Sequence, residues 1–453
     1  MKKEVPAEQK KFNKIDVFAL AFGAMIGWGW VILSNEWILK AGAYGAALAF
    51  VLGGIVMLLV GQVFAELVSA MPSSAGVMLY TKRAFGHDPS FWCTWSLLLA
   101  SISVIAFEGV ALPSVVEYLI PNFLQGYLST VAGFDVYFSW LAVGIVSSLL
   151  IAAINYVGTK SALILQTVMT FTIVAVGLVL CFGSVKNGSA ENMKPLFKDG
   201  IGGIFSVAVM TPFMYVGFDV VPQTASEMNI KPRNIAKLLL VSVVAAVIWY
   251  TGIIICVSRA LPHDVMASSS LATADAMAYV YGGSIWSSRL LILGGIAGIV
   301  SSWNSFYVSG SHIICTLAED GMLPRCFAKI HPVHGTPSNA ILLIAGVTTF
   351  APLLGKNMLV WLSNAGGLGV VISLLMVSCA FLKLRKSEPD MPRPYRAGKS
   401  SLLGWLAVIA CVALGLLYVL PGAPSALKWP YEWGIILLWF GVGAVLFAIP
   451  KKL

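Results

Sequence analysis

The sequence predicts an all-α protein that crosses a membrane many times, and three observations predict it. Of its 453 residues, 58% are hydrophobic and only 11% are charged. A soluble domain carries about 25% charged residues, so this chain has too few polar groups to cover a water-facing surface. Its mean hydropathy is +0.86. The third observation is a succession of apolar runs, each close to the roughly 20 residues that a spanning helix needs.

The apolar runs predict twelve spans. The first run follows a basic, polar start, is too long for a signal-peptide core and lacks a small-residue cleavage site, so we interpret it as a retained span. The predicted spans cover residues 15–38, 44–70, 91–119, 138–157, 162–185, 201–224, 234–258, 285–315, 338–355, 358–382, 402–420 and 431–449.

The distribution of basic residues predicts the orientation. An even number of spans places both termini on one side of the membrane. If that side is the cytoplasm, roughly 21 of the 29 Lys and Arg lie on it, as the positive-inside rule requires. We therefore expect a multi-pass protein of the cell membrane with cytoplasmic termini. The net charge of +9 is largely this topology signal, so the lipid bilayer is an expected partner and a nucleic acid is not.

The sequence contains none of the common enzyme signatures that we sought. It has no phosphate-binding glycine loop, no HExxH and no GxSxG, and its seven cysteines form no CxxC pair. We expect the cysteines to be small packing residues. The sequence therefore predicts neither an enzyme nor a bound cofactor, and it gives no indication of protein partners.

Two predicted spans contain residues that interrupt a helix. In a helix interior each glycine costs about 1 kcal/mol relative to alanine, and each proline about 3 kcal/mol. Close helix packing is one reason for glycines in a membrane. Interrupted spans at matching positions of two halves instead indicate a transporter binding site. The interrupting residues are Gly23, Gly27 and Gly29 in span one, and Pro212, Gly217, Asp219 and Pro222 in span six.

The spacing of five spans predicts two inverted halves within a single transport domain, residues 1–453. The halves would be residues 15–185 and 201–383, and residues 402–449 would form two peripheral helices. We expect span one to unwind around Gly23–Gly29 and span six around Pro212–Gly217. Freed backbone groups are tolerated at membrane depth only where they line a cavity or are buried in protein. Freed amides suit a carboxylate and freed carbonyls suit an ammonium, so an α-amino acid is the simplest matching solute.

Five short motifs, in this order, resemble the amino acid–polyamine–organocation (APC) superfamily. They are GAMIGWG (Gly23–Gly29), AEL followed by Pro72 (Ala65–Leu67), NYVGTK (Asn155–Lys160), FMYVGFD followed by ASEMN (Phe213–Asn229) and AEDGMLP (Ala318–Pro324). The resemblance covers about residues 15–400. It implies the LeuT-type 5+5 inverted-repeat fold, transport by alternating access, and an amino acid or amine substrate.

The resemblance also implies a substrate site. The substrate carboxylate would meet the backbone amides of Gly27, Trp28 and Gly29. The substrate ammonium would meet carbonyl groups of Met25, Ile26, Phe213, Met214 and Val216. Phe213 stands four residues before Gly217, where the family places an aromatic lid. Trp28 departs from the family pattern, which has Ser or Thr there, so the substrate stays open.

Three coupling mechanisms stay open, and of these we expect proton-coupled symport. A sodium ion would have the ligands Gly23, Ile26, Gly298, Ser301 and Ser302, which match positions in sodium-coupled relatives of the fold. A proton would be carried by Asp219, because an acid inside a span is costly and usually functional, or by Glu108. If Glu108 faces the cavity, a cationic substrate is favoured. Exchange without a coupling ion is the third alternative. A non-transporting sensor on the same fold is the other class of function.

Overall fold

The computed structural model describes residues 12–269, 271–423 and 426–448. Residues 1–11 and 449–453 lie outside the described residues, and the lysines in these two tails were expected on the cytoplasmic side. The side chain of Lys160 is also outside the described part. In the first half the helices are α1 (Lys14–Met25), α2 (Gly29–Ile32), α3 (Ser34–Ala41), α4 (Ala43–Ala70), α5 (Gly76–Phe85), α6 (His87–Leu119), α7 (Phe138–Val157) and α8 (Thr159–Asn187). Between α6 and α7, strands β1 (Tyr127–Val131) and β2 (Phe134–Tyr137) form an antiparallel hairpin.

In the second half, all of the regular secondary structure that is described is helical. Its α-helices are α9 (Gly200–Ala208), α10 (Thr211–Met214), α11 (Val220–Gln223), α12 (Pro232–Ala260), α13 (His263–Ser268), α14 (Ala272–Val280), α15 (Ile285–Glu319), α16 (Ser338–Thr348), α17 (Met358–Ser387), α18 (Leu402–Val419) and α19 (Tyr431–Ala448). Short 3₁₀ segments lie at Glu191–Met193, Ala225–Glu227, Arg325–Ala328 and Ala351–Leu354.

Nine helices in the described part of the chain are long and apolar enough to cross a membrane. They are α4, α6, α7, α8, α12, α15, α17, α18 and α19, and they correspond to nine of the twelve predicted spans. The protein is therefore a polytopic helical membrane protein, as its composition predicts. The other three predicted spans, one, six and nine, are each divided into shorter segments.

Span one is broken where the glycines predict a break. Helix α1 ends at Met25, residues 26–28 have no helical assignment, and α2 begins at Gly29. Asn13 caps the start of α1, because its side chain accepts hydrogen bonds from the amides of Ile15 and Asp16. Span one is thus three helical segments, and its interruption lies inside the predicted Gly23–Gly29 stretch.

Span six is broken at the end of the predicted stretch and just beyond it. The predicted break around Pro212–Gly217 overlaps the turn formed by residues 215–219, whereas Pro212 itself lies inside the short helix α10. Pro212 occupies the first turn of α10, where an amide hydrogen has no helical acceptor, so proline is tolerated there. Gly217 lies within the break with φ of +133°, a conformation that favours glycine.

Span nine is not one continuous helix, contrary to the prediction of a span at 338–355. Helix α16 ends at Thr348, a turn follows, and Ala351–Leu354 forms a 3₁₀ segment. Pro352 lies in this segment and has no amide hydrogen to donate, so it cannot continue the α-helical hydrogen-bond ladder.

The two breaks are in direct contact. A Cβ atom on Gly217 would lie 2.8 Å from the carbonyl carbon of Ala24 and from the amide nitrogen of Met25. Only glycine permits this approach of two backbones. The unwound part of span six therefore packs directly on the end of α1, and freed backbone groups of both spans lie together inside the protein.

A buried ion cluster joins α4 to the C-terminal end of α17 and to the segment that follows it. The Glu66 carboxylate is 1% exposed and accepts hydrogen bonds from Arg385 Nε at 3.0 Å, Arg385 Nη2 at 2.5 Å and the Ala397 amide at 2.7 Å. Arg393 Nε lies 3.0 Å from the same carboxylate. The two arginine side chains are themselves buried, and Glu66 is the carboxylate that forms an ion pair with both of them.

Replacing Glu66 with Gln should destabilise the protein strongly. The change leaves two buried guanidinium groups without their counter-charge, which costs about 3–5 kcal/mol for a buried pair. Thermal unfolding of the detergent-purified protein measures this loss of stability. The control is Glu36→Gln in the exposed pair with Lys40, which should change stability by at most about 1 kcal/mol. Equal unfolding midpoints for the two variants would contradict a structural role for the cluster.

Candidate functional site

A small cavity lies between the breaks of spans one and six. Around the break in span one it is lined by Ala24, Met25, Gly27, Trp28 and Gly29, around the break in span six by Phe213, Met214 and Val216, and from other helices by Val104, Phe107, Glu108, Tyr250, Ser302 and Phe306. The centre of a water molecule can move through about 30 Å³ of it, room for roughly two waters. An amino-acid-sized solute therefore requires the lining side chains to move apart.

Glu108 is the one charged residue among those that line the cavity. It lies on α6 and is 2% exposed. Its carboxylate lies against the backbone at Gly27 and beside Ser302. Its second oxygen, Oε2, has no hydrogen-bond partner among the described residues. The cavity thus contains a buried carboxylate with one oxygen still able to accept hydrogen bonds.

Two glycines allow other side chains to reach the break in span one. A Cβ atom on Gly27 would collide with Glu108 Oε1 and lie 3.2 Å from Ser302 Oγ. A Cβ atom on Gly29 would lie 2.7 Å from Met214 Sδ. The absence of side chains at Gly27 and Gly29 therefore creates the space that Glu108 and Met214 occupy.

Aromatic side chains form much of the remaining wall. The rings of Phe107 and Phe213 are 5.9 Å apart and tilted by 59°, which is a favourable aromatic contact. The Tyr250 hydroxyl donates a hydrogen bond of 2.8 Å to the Met25 carbonyl oxygen. The Met25 carbonyl, predicted to meet a substrate ammonium, therefore already has one protein partner.

A chain of amide side chains runs behind the break in span one. Asn155 Nδ2 donates to Asn304 Oδ1 at 3.0 Å, and Asn304 Nδ2 donates to Gln166 Oε1 at 3.0 Å. Gln166 Nε2 in turn donates to Ser301 Oγ at 2.7 Å and to the Ala19 carbonyl oxygen at 3.0 Å. These bonds connect α1, α7, α8 and α15, and they direct the amide nitrogen of Gln166 toward Ser301.

Comparison with known proteins gives the family. Residues 12–445 match the amino acid permease family. The chain belongs to that family. Similar proteins include the branched-chain amino acid permease BcaP of Bacillus subtilis, which is 23% identical over 414 residues, 90% of this chain and 87% of the relative. The aspartate-proton symporter of Bacillus subtilis is 26% identical over 88% of this permease and 78% of the relative.

A third relative broadens the range of solutes within these similar proteins. The methylthioribose transporter of Bacillus subtilis is 22% identical over 450 residues, 98% of this permease and 94% of the relative. All three relatives are named as transporters and none as an enzyme. The match also agrees with the resemblance to the APC superfamily noted from the sequence motifs.

Most of the substrate residues predicted for this permease lie at the cavity. Met25, Gly27, Trp28, Gly29, Phe213, Met214 and Val216 all line it. Ile26 and Gly217 do not line it, although both lie in the breaks. The indole of Trp28 packs against Gly295 of α15, where a Cβ atom would lie 3.0 Å from Trp28 Cε3. Its bulk is therefore accommodated partly by a glycine on the facing helix.

Asp219 lies in the break of span six but does not line the cavity. It is 2% exposed, and its Oδ1 accepts a 2.9 Å hydrogen bond from the Gly217 amide. Its Oδ2 has no hydrogen-bond partner among the described residues. Asp219 thus satisfies a freed amide of the unwound segment while one of its oxygens stays unpaired.

The residues predicted for sodium surround the break in span one, but their hydroxyls have different neighbours. Gly23 packs against Ser301, and a Cβ atom on Gly298 would lie 3.1 Å from the Ile26 carbonyl oxygen. Ser301 Oγ accepts a hydrogen bond from Gln166, whereas Ser302 lies beside Glu108 at Gly27. Gln166 thus uses one of the two acceptor positions of a hydroxyl that a sodium ion would need as a ligand.

Sequence reasoning missed Gln166, Tyr250, Phe107 and Phe306. A signal for Gln166 existed, because an amide side chain in an apolar span needs buried partners. The aromatic residues gave no distinctive signal, since aromatic side chains are common in spans that pack inside a bundle.

Replacing Gly27 with Val should abolish ligand binding by the purified permease. The new side chain would collide with the Glu108 carboxylate and fill the cavity. Thermal-shift measurements with the twenty amino acids and a set of primary amines test this. Gly252→Val on α12 is the control, because a Cβ atom there meets nothing within 4 Å. Ligand-induced shifts that survive Gly27→Val would exclude this cavity as the binding site.

Proposed function

We propose that this permease is a secondary transporter that moves a solute bearing an amino group, an amino acid or an amine, across the cell membrane. The observation that carries the proposal is the cavity, which is bounded by the breaks of both interrupted spans. Each break supplies backbone groups that no helix satisfies, and such groups bind polar solutes in transporters. A buried carboxylate beside them suits the ammonium of the solute.

The proposed cycle is alternating access. The segments 15–185 and 201–383 form two inverted repeats, and 402–449 forms a peripheral pair. The direct contact of Gly217 with Ala24 and Met25 supports this, because it couples the two breaks mechanically. The proposed orientation has both termini in the cytoplasm, on the basis of the Lys and Arg distribution.

We assign the coupling ion as a proton rather than sodium. Asp219 and Glu108 are buried carboxylates beside the two breaks, and each keeps an oxygen without a partner among the described residues. A buried carboxylate without a cationic partner is a natural proton carrier, since protonation removes the cost of its charge. In the sodium alternative, Ser301 would share its hydroxyl oxygen between the ion and the Gln166 amide.

One experiment distinguishes ion-coupled transport from two alternatives, exchange and sensing. Exchange requires no ion gradient, and a sensor would bind a solute without moving it. Uptake of radiolabelled amino acids and primary amines into proteoliposomes separates them. We expect uptake driven by an inward proton gradient in sodium-free buffer. Binding without uptake would identify a sensor, and uptake that needs only solute on the far side would identify exchange.

Asp219→Asn should uncouple solute movement from the proton gradient. Asparagine keeps the shape and an acceptor for the Gly217 amide but cannot titrate, so solute should equilibrate without accumulating. Ser301→Ala is the matched variant for sodium and should leave proton-driven accumulation within about twofold of the unmodified protein. Uptake that is lost without sodium and impaired by Ser301→Ala, but unchanged by Asp219→Asn, would reverse the assignment of the ion.

A further inference from the structure

The Glu108 carboxyl group is buried and faces a cavity whose other thirteen lining residues are uncharged. Burying an unpaired charge is costly, and proteins pair such charges or neutralise them. Oε2 has no partner among the described residues. A cationic ligand in the cavity would supply the missing partner.

Glu108 also occupies the place that a carboxylate of the solute would take at the break in span one. Its Oε1 packs so closely on Gly27 that a single added carbon would collide. An α-amino acid bound at this break would place its own carboxylate against that of Glu108. Two carboxylates about 4 Å apart repel each other by several kcal/mol at the effective dielectric constant of a protein site.

We propose that Glu108 provides from the protein the carboxylate that an amino acid would otherwise bring, so that the cavity selects a primary amine without an α-carboxylate. This inference rests on the proposed transport function and specifies its substrate class. The ammonium of the amine binds Oε2 of Glu108 at the break in span one.

The walls of the cavity suit such a ligand. Phe107, Phe213, Tyr250 and Phe306 present aromatic surface, which contacts alkyl groups favourably and attracts a cation through the ring faces. No lining side chain carries a positive charge that could pair with a solute carboxylate. The small volume, about 30 Å³, favours an amine with a short or narrow tail.

Matched pairs of solutes test the inference. Each pair is an amino acid and the amine formed by removing its carboxylate: alanine and ethylamine, leucine and isoamylamine, phenylalanine and 2-phenylethylamine, lysine and 1,5-diaminopentane. Binding to the purified full-length permease is measured by thermal shift and isothermal calorimetry, and transport by proteoliposome uptake. We expect the best amine to bind at least tenfold more tightly than its parent amino acid.

Two substitutions at one position sharpen the test. Glu108→Gln keeps the shape but removes the charge, so amine affinity should fall at least tenfold. Glu108→Ala also clears the place beside Gly27 that a carboxylate of the solute would take, so the preference should shift toward the parent amino acid. The control is Glu117→Gln, on the same helix but outside the cavity lining, which should bind both members of a pair like the unmodified protein. If the Glu108 variants do not fold, the test rests on whether the unmodified protein prefers the amine or the amino acid of each pair.

The possible failures are distinguishable. If the unmodified permease transports amino acids and binds them as tightly as the matched amines, this inference is overturned and the proposed transport function stands. If Glu108→Gln binds amines as the unmodified protein does, Glu108 is not the selecting group and the inference is overturned. If no member of any pair binds or is transported, both the proposed function and this inference fail.

Discussion

The contact of the Glu108 carboxylate with the break in span one is the interaction on which the site depends. Breaking span one frees backbone groups at a depth where lipid offers no hydrogen bonds, so the protein must satisfy them itself. Glu108, from the continuous helix α6, lies against Gly27 of this break together with Ser302 from α15. The same carboxylate fixes the charge of the cavity. One contact therefore links the stability of the broken helix to the kind of solute that can bind.

The rest of the core holds the two breaks in place by close backbone contacts and by amide side chains. Gly217 brings the unwound part of span six against α1, and Asp219 accepts a hydrogen bond from the amide of Gly217. Behind span one, Gln166 and Asn304 connect α8 and α15 to α1. Apart from Asp219 Oδ2, these buried polar groups are hydrogen-bonded, so the interruptions carry less of the penalty that isolated polar groups would carry.

The sequence predicted the helical membrane fold and the presence of both interruptions, because composition and the placement of glycine and proline depend on local chemistry alone. Its predicted break of span six, around Pro212–Gly217, overlaps the observed turn at residues 215–219. It did not predict the short helix that contains Pro212, since whether Pro212 begins a short helix or ends one depends on how the following turn packs against α1. It identified Glu108 as a residue of interest but not its contact with Gly27, because that contact joins spans distant in sequence. Gln166 was missed for the same reason: its role depends on Ser301 and Asn304, which belong to another span.

The most direct measurement is a cryo-electron microscopy structure of the permease in lipid nanodiscs with its transported solute bound. We expect density for the solute between Trp28 and Phe213, with the solute nitrogen within hydrogen-bonding distance of the Glu108 carboxylate. The Glu108 carboxylate should still lie against Gly27. A solute bound away from this cavity, or continuous helices through residues 26–28 and 215–219, would contradict the assignment of the breaks as the binding site.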